Sequence, residues 1–333
     1  MKGWCVSRFG GPEVMEWCDL PVPEPGPGEV LVKVYASGVN FAETRMRAGT
    51  YAGQELPFVM GMEAAGIVAA LDEGVSGFEP GQRVFGRARG AHAEYVLFDV
   101  RHLMRVPDRL TFEEAAAIPV GWLTAWHALH TVADLRRGQR VLIEAIASSV
   151  GSAALQIARR QGCWVAGTAS RDEKVRRALA EGADAAYNYK FEDVAAQALA
   201  DTAGAGIDVG LMTIGEETAQ SLFDAMGHEG HIVMYGSTGG RQVCFDLNIG
   251  IRNLRLSSMS ISTSPRFMGQ TMTSFREIAL PLFADGSFRA VVDTVLPVTD
   301  LVRAHAMIDE RSHYGKVVLR VASPAGSTAP ARH

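Results

Sequence analysis

Hydrophobic and polar positions along the chain change rhythm near residue 120. Before it, the short alternating or β-branched runs Val30 to Tyr35, Ala65 to Ala70 and Glu94 to Phe98 are cut by the turn signals Pro25-Gly26-Pro27-Gly28, Gly74 and Pro80-Gly81. Such runs predict a compact β-rich domain. After it, apolar runs alternate with helical periods: strand Arg140 to Ile146 and helix Val150 to Gln161, strand Trp164 to Thr168 and helix Asp172 to Glu181, strand Ala185 to Asn188 and helix Phe191 to Thr202. Strand Gly206 to Met212, helix Glu216 to Met226 and strand His231 to Tyr235 continue the series. Buried strands alternating with amphipathic helices predict βαβ units and a doubly wound parallel sheet, an α/β fold. Beyond about residue 262 the rhythm breaks into a helix at Thr271 to Ala284, a strand at Val291 to Leu296, a helix at Thr299 to Asp309 and a strand at Lys316 to Val321. The Ala/Ser/Pro-rich residues from Ala322 on predict disorder, with 326–333 as a tail outside both domains.

Composition adds limits. The 333 residues are 47% hydrophobic and 21% charged, with 37 acidic against 32 basic side chains, a net charge of −5. That is enough chain for about two globular domains with their own cores. No run of like charges points to nucleic acid or an anionic membrane surface. The four cysteines, Cys5, Cys18, Cys163 and Cys244, show no C-x-x-C spacing and suggest neither a disulfide framework nor a zinc module. A reducing cytoplasm is the expected compartment, and the first residues lack the apolar stretch of a signal peptide. Ala115 to Ala133 carries no Lys, Arg, Asp or Glu, but its Pro119, Gly121, His127 and His130 make it a buried soluble helix rather than a membrane span.

The first chemistry sits at the first βα turn of the second domain, Ala147-Ser148-Ser149-Val150-Gly151-Ser152-Ala153-Ala154. Small residues let a turn bring backbone N–H groups up to a pyrophosphate at a helix N-terminus. Only Gly151 of a G-x-G-x-x-G fingerprint is present, with Ser148 and Ser149 where glycines are expected. A plain strand–turn–helix corner packed by small residues is the alternative.

Several ordered motifs carry a resemblance over nearly all of residues 1 to 321. They are Pro25-Gly-Pro-Gly-Glu-Val-Leu-Val-Lys-Val, Ser37-Gly-Val-Asn-Phe-Ala-Glu-Thr, Gly49-Thr-Tyr51, Gly61-Met-Glu-Ala-Ala-Gly-Ile-Val, Gly81-Gln-Arg-Val-Phe-Gly, the 147–156 turn and Gly315-Lys-Val-Val-Leu. The chain resembles the zinc-independent medium-chain dehydrogenase/reductases, in the NADPH quinone oxidoreductase and enoyl reductase branch. The resemblance implies a discontinuous catalytic domain, residues 1–120 and 262–325, built on a GroES-like β-barrel. It implies a Rossmann NADPH-binding domain over 121–261, inserted in the first, with the active site in a cleft between them. It also implies a homodimer formed through an edge strand near Leu254 to Ser258.

The zinc enzymes of this superfamily would place a Cys at Asn40, a His at Met62 and four close cysteines near 85–105; none is there. His127 and His130 lie one turn apart, as a metal pair or a partly exposed helix face, with no third ligand in view. NAD binders carry a carboxylate at the end of the second strand, whereas NADP binders need cations and hydroxyls. This chain reads Thr168-Ala-Ser170-Arg171-Asp-Glu-Lys174. Ser170, Arg171 and Lys174 suit a 2′-phosphate; alternatively Arg171 and Lys174 form a solvated face opposing Asp172 and Glu173. By resemblance, Tyr189 lies beside the adenosine and Arg311 adds a phosphate contact.

The implied step is hydride transfer to a quinone or to the C=C of an α,β-unsaturated carbonyl, with negative charge developing on oxygen. Matching positions place Asn40 near the nicotinamide ribose and substrate, Thr124 near the nicotinamide, and Gly236, Ser237 and the segment around Ser260 along the cofactor. Tyr51 is a candidate donor, or a tyrosine packed under the Pro57 loop. The family commonly carries a tyrosine where this chain has Arg45, which either holds an anionic substrate group or is a solvated helix residue. A carrier-bound polyketide-type enoyl reductase and a dinucleotide-binding protein without turnover are the rival functions.

Overall fold

The computed structural model describes residues 1–240, 242–244 and 251–322, and the tail read over 326–333 lies outside them. The chain divides into two compact units, one of Met1–Val120 with the chain from Leu280 on, the other of Gly121–Ala279.

In the second unit, six parallel strands lie in the spatial order Ala185–Asn188, Trp164–Ala169, Arg140–Ile143, Ile207–Met212, Met226–Met234, Arg255–Ser258. Numbered along the chain this is 3-2-1-4-5-6, the dinucleotide-binding order, which reverses direction between Arg140–Ile143 and Ile207–Met212. The central strands are apolar at consecutive positions because helices cover both faces. Val141, Leu142 and Ile143 are all buried, and Leu142, Ala166, Tyr187, Phe223 and Ile232 share one core.

Several element ends differ from the sequence reading, each for a local reason. The strand from Arg140 stops at Ile143, because residues 144–147 turn, with Ala145 at φ +50°. The helix read from Phe191 starts at Val194, where the Asp193 side chain accepts from Ala196 N–H. The helix read from Glu216 starts at Ala219, since the Thr218 hydroxyl donates to Glu144 instead of capping. The helix read as Thr271 to Ala284 begins earlier, with π-turns at Phe267–Met272 and Phe275–Ala279 before the α-helix Leu280–Ala284. The first of these packs on a third π-turn, His127–Val132. Thr271 Oγ1 lies 2.6 Å from His127 Nδ1 and 2.8 Å from Thr131 Oγ1. Residues 262–279 therefore pack within the second unit. His127 is fully buried rather than on a partly exposed face, and burial, then Arg266, depresses its pKa; His130 is exposed and stacks on Trp126.

The first unit holds a seven-stranded sheet ordered Val292–Pro297, Lys316–Arg320, Glu29–Val39, Glu63–Leu71, Arg83–Arg87, Leu103–Arg105, with Tyr95–Asp99 also paired to Glu29–Val39. A smaller sheet joins Met15–Asp19, Lys2–Val6 and Phe58–Val59. Lys316–Arg320 runs antiparallel to the end of Glu29–Val39, with Val317 opposite Val39, so residues far apart in sequence meet beside Asn40. Among the described residues no helix is long and apolar enough to cross a membrane.

Candidate active site

The nucleotide side of the site is built where the parallel strands of the second unit end. After Ile143 the chain turns through Ala145, whose carbonyl accepts from Ser148 N–H, and enters helix Ser149–Arg160. Ser148 caps that helix: its hydroxyl oxygen accepts from Gly151 N–H at 3.0 Å. The first-turn N–H groups of Ser149 and Val150 have no acceptor within the helix and face outward at its positive end, the arrangement that receives an anion. Gly151 is required here because a Cβ would stand 2.4 Å from Ala145 O and 2.6 Å from Ile146 Cα. The two serines thus keep the geometry that a glycine-rich turn provides, one by capping and one by contributing its backbone.

Glu144, which the sequence reading passed over, pins this turn to the strand across the switch point. Its carboxylate accepts from Thr213 N–H at 2.8 Å, Ile214 N–H at 2.7 Å and Thr218 Oγ1 at 2.5 Å. Burial raises its pKa above the usual carboxylate range, and those donors only partly oppose the shift. A cavity of about 50 Å³ lined by Glu144, Thr168, Tyr189, Glu217 and Thr218 adjoins it. The buried Thr168 hydroxyl has no hydrogen-bond partner.

At the end of Trp164–Ala169 no carboxylate is available. Asp172 accepts from Asn188 Nδ2 at 2.5 Å, and Glu173 forms a long, exposed ion pair of 3.6 Å with Arg171. Such an exposed pair contributes little to stability. Lys174 is buried in the first turn of helix Asp172–Ala180, Ser170 is half-buried, and Tyr189 N–H donates to Ala169 O. Gly236 and Ser237 follow strand Met226–Met234, both exposed, and Ser260 follows Arg255–Ser258 in a turn where its hydroxyl accepts from Ser262 N–H. Thr124 is buried in helix Pro119–Trp126. One unit therefore brings together Ser148, Ser149, Val150, Gly151, Ser170, Arg171, Lys174 and Tyr189 around the sheet's carboxyl edge, a set that fits a phosphorylated dinucleotide.

The first unit contains the remaining candidates. Arg45 and Tyr51 are joined by a tight turn in which Arg45 O accepts from both Thr50 and Tyr51 N–H, and the Arg45 guanidinium lies 5.2 Å from the Phe41 ring centre. Arg87, opposite Glu63 in the strand register, is a cation that the sequence reading missed. Burial holds its pKa below the ordinary arginine value, while Glu63 and Tyr51 favour its charge. Arg311 sits in a left-handed turn after helix Leu301–Asp309, at φ +50°, and its backbone N–H donates to Ile308 O.

Asn40 stands in a buried polar network. Its Nδ2 donates to Glu43 Oε1 and Glu63 Oε1, each at 2.9 Å, and its Oδ1 accepts from Lys316 Nζ at 2.6 Å. Lys316 also pairs with Glu63, whose other oxygen accepts from Val120 N–H at 2.6 Å. Glu43 Oε2 lies 2.6 Å from His92 Nε2, and His92 Nδ1 lies 2.9 Å from Ser37 Oγ. Burial opposes ionisation of Glu43, yet His92, His305 and the Asn40 amide outweigh it and leave its pKa below the usual value. His305 is driven down to about 3 by burial, with His92 and Arg47 adding to the effect against Glu43. The amide donors of Asn40 are therefore committed inside the protein. Among the described residues no group of three His, Cys, Asp or Glu side chains is placed to hold a metal ion.

Comparison with known proteins bears on both units. Residues 26–108 match the alcohol dehydrogenase GroES-like domain and residues 149–285 the family described as zinc-binding dehydrogenase. A quinone oxidoreductase of Sus scrofa is 33% identical over 322 residues, 94% of this chain and 96% of that protein. The pikromycin polyketide synthase component PikAII of Streptomyces venezuelae is 35% identical over 309 residues, 90% of this chain but 8% of that much longer protein. A mycobacterial protein solved in complex with NADPH superimposes with a TM-score of 0.89 at 31% identity, covering 96% of this chain and all of the other.

Proposed function

The chain belongs to the quinone oxidoreductase branch of the medium-chain dehydrogenase/reductase superfamily and is an oxidoreductase, and we propose that it reduces a quinone, or the C=C of a conjugated carbonyl compound, with NADPH and without a metal. The observation that carries the cofactor choice is the strand end after Ala169: Ser170, Arg171 and Lys174 gather there while the nearest carboxylate, Asp172, is held by Asn188. The pyrophosphate is assigned to the N–H groups of Ser149 and Val150 and to the backbone approach that Gly151 permits. Tyr189, Thr124, Gly236, Ser237, Ser260 and Arg311 are assigned to the rest of the cofactor by resemblance.

NADPH supplies the hydride, and the protein must then stabilise charge on the substrate oxygen. We assign that to Tyr51 as hydrogen-bond donor, with Arg87 and Arg45 as the cations of the same unit. Asn40 is a positioning residue: with both carboxylates and Lys316 on its amide, it fixes the turn between strand Glu29–Val39 and helix Phe41–Arg47, which carries Arg45. The same saturation supports metal independence, because the position that resemblance gives to a zinc ligand is filled by an amide tied to Glu43, Glu63 and the Lys316 ammonium.

The match to a polyketide synthase component favours a second reading, an enoyl reductase acting on an acyl thioester. Following NADPH consumption at about 340 nm, in the nicotinamide band, across quinones, simple enones and enoyl thioesters separates the readings. Turnover of quinones or enones by chelator-treated protein is the expected result, and thioester-only turnover would select the second reading. Tight NADPH binding with no consumption across the panel would leave a binding protein without turnover.

A further inference from the structure

Along strand Trp164–Ala169 the side chains alternate between the two faces of the sheet. Ala166 lies in one core with Val194 and Ala198 of helix Val194–Asp201 and with Leu222 and Phe223 of helix Ala219–Ala225. Thr168, two residues on, continues that face to the carboxyl edge of the strand, where it lines the cavity of about 50 Å³ together with Glu144. The residue is 3% exposed, and its buried hydroxyl has no hydrogen-bond partner. A hydroxyl left in that state is a cost to the fold unless a bound group completes it. One ordered water needs only about 10 to 15 Å³, so the space admits something larger.

The lining decides what fits. Leu142, Val194 and Leu222 give it apolar walls, suited to the faces of a planar ring. Its polar groups are mostly acceptors. Both Glu144 oxygens accept, one from Thr213 and Ile214 N–H and the other from the Thr218 hydroxyl, whose proton is thereby directed away from the cavity. Glu217 adds a second carboxylate, paired with Lys190. Among the described residues that line the cavity, none carries a side-chain N–H. Position then fixes which part of a dinucleotide reaches it. Thr168 stands two residues before Ser170, and Tyr189, which also lines the cavity, donates its N–H to Ala169 O. A 2′-phosphate on Ser170 and Arg171 is borne by the ribose that carries the base, so the base falls beside Thr168. We propose that this cavity is a base-selective subsite, in which the Thr168 hydroxyl and the acceptors around it take the 6-amino edge of a purine and disfavour a 6-oxo edge. The inference rests on the cofactor reading and adds to it a selection separate from that of the 2′-phosphate. An amino group brings two N–H donors, one for the Thr168 oxygen and one for the acceptors beside it. An oxo group brings lone pairs instead, and these face the carboxylates.

The test is calorimetric titration of the full chain, with no substrate present, by NADP⁺ and by nicotinamide hypoxanthine dinucleotide phosphate, which differs from it only in carrying a 6-oxo base. NADP⁺ is expected to bind at least about 10-fold more tightly. Thr168→Val keeps the side-chain shape and removes the hydroxyl, and should weaken NADP⁺ about 10-fold while Thr168→Ser stays near the wild type. Because the hydroxyl has no partner in the protein, Thr168→Val should melt at or above the wild-type midpoint, which separates a ligand-binding group from a structural one. The ratio of NADP⁺ to NAD⁺ affinity should not change in Thr168→Val, since other residues hold the phosphate. Equal affinity of the wild type for the two bases, or wild-type NADP⁺ affinity in Thr168→Val, overturns the inference and leaves the cofactor reading in place. No binding of NADP⁺ or its analogue overturns both.

Discussion

Replacing Lys316 by Met removes the ammonium paired with Glu63 while keeping most of the side-chain volume. Glu63 is completely buried and Lys316 is 2% exposed. The carboxylate would retain Asn40 Nδ2 at 2.9 Å and Val120 N–H at 2.6 Å, and Arg87 would remain opposite in the register. Breaking one side of a buried ion pair costs about 3 to 5 kcal/mol, because an uncompensated charge stays behind. The two surviving donors and Arg87 should hold the loss near the lower figure. Neutralising both partners removes the stranded charge, so Glu63→Gln/Lys316→Met should recover about 2 kcal/mol or more of the loss. Urea unfolding of the wild type, the two single variants and the double variant, completed as a cycle, measures this. A coupling below about 0.5 kcal/mol, or a Lys316→Met loss below about 1 kcal/mol, would show that the network is solvated and that Asn40 is not held as described.

Other consequences are equally specific. Ala145→Gly should stabilise the protein by about 1 kcal/mol, because Ala145 sits at φ +50° where glycine bears no Cβ penalty; a lowered melting temperature would refute this. His305 is neutral in the fold with a pKa near 3, against about 6.5 unfolded. The unfolded chain therefore binds the extra proton, and stability should fall by about 1.4 kcal/mol per pH unit from roughly pH 6.5 down to 3. Glu43, depressed as well, adds loss only below its unfolded value of about 4.3. His305→Gln should flatten the slope between pH 6 and 5, and an unchanged slope there would assign the acid sensitivity to other groups. Tyr51→Phe should lower kcat more than it weakens NADPH binding. Arg45→Ala should raise KM by about 10- to 100-fold for anionic substrates only; a uniform small effect would make Arg45 a surface residue.

The parallel sheet was legible because strands such as Val141-Leu142-Ile143 are apolar on both faces, a pattern that survives without tertiary information. Gly151 was legible as the single glycine of a small-residue turn. Harder to read were residues whose type usually means solvent. Glu63 opens an apolar run and Lys316 opens another, and only the antiparallel pairing of Lys316–Arg320 with Glu29–Val39 brings them to Asn40. The spacing from Asn40 to Glu43 on the first turn of a helix was the available signal, since residues three apart share a face. The π-turns at His127–Val132 and Phe267–Met272 leave no such trace, because they depend on Thr271 reaching His127 and Thr131 from a distant segment. The bent entry at Glu144 likewise depends on donors from 213, 214 and 218, which sequence alone does not position.

The central claim is that the strand end after Ala169 selects NADPH. The most direct measurement is the ratio of kcat/KM for NADPH over NADH with one quinone, in the wild type and in Ser170→Ala/Arg171→Ala. The account predicts a ratio of at least about 10, equivalent to about 1.4 kcal/mol of phosphate recognition, falling toward 1 in the double variant through loss of NADPH efficiency alone. Equal efficiencies in the wild type, or a preference that survives both substitutions, would contradict it.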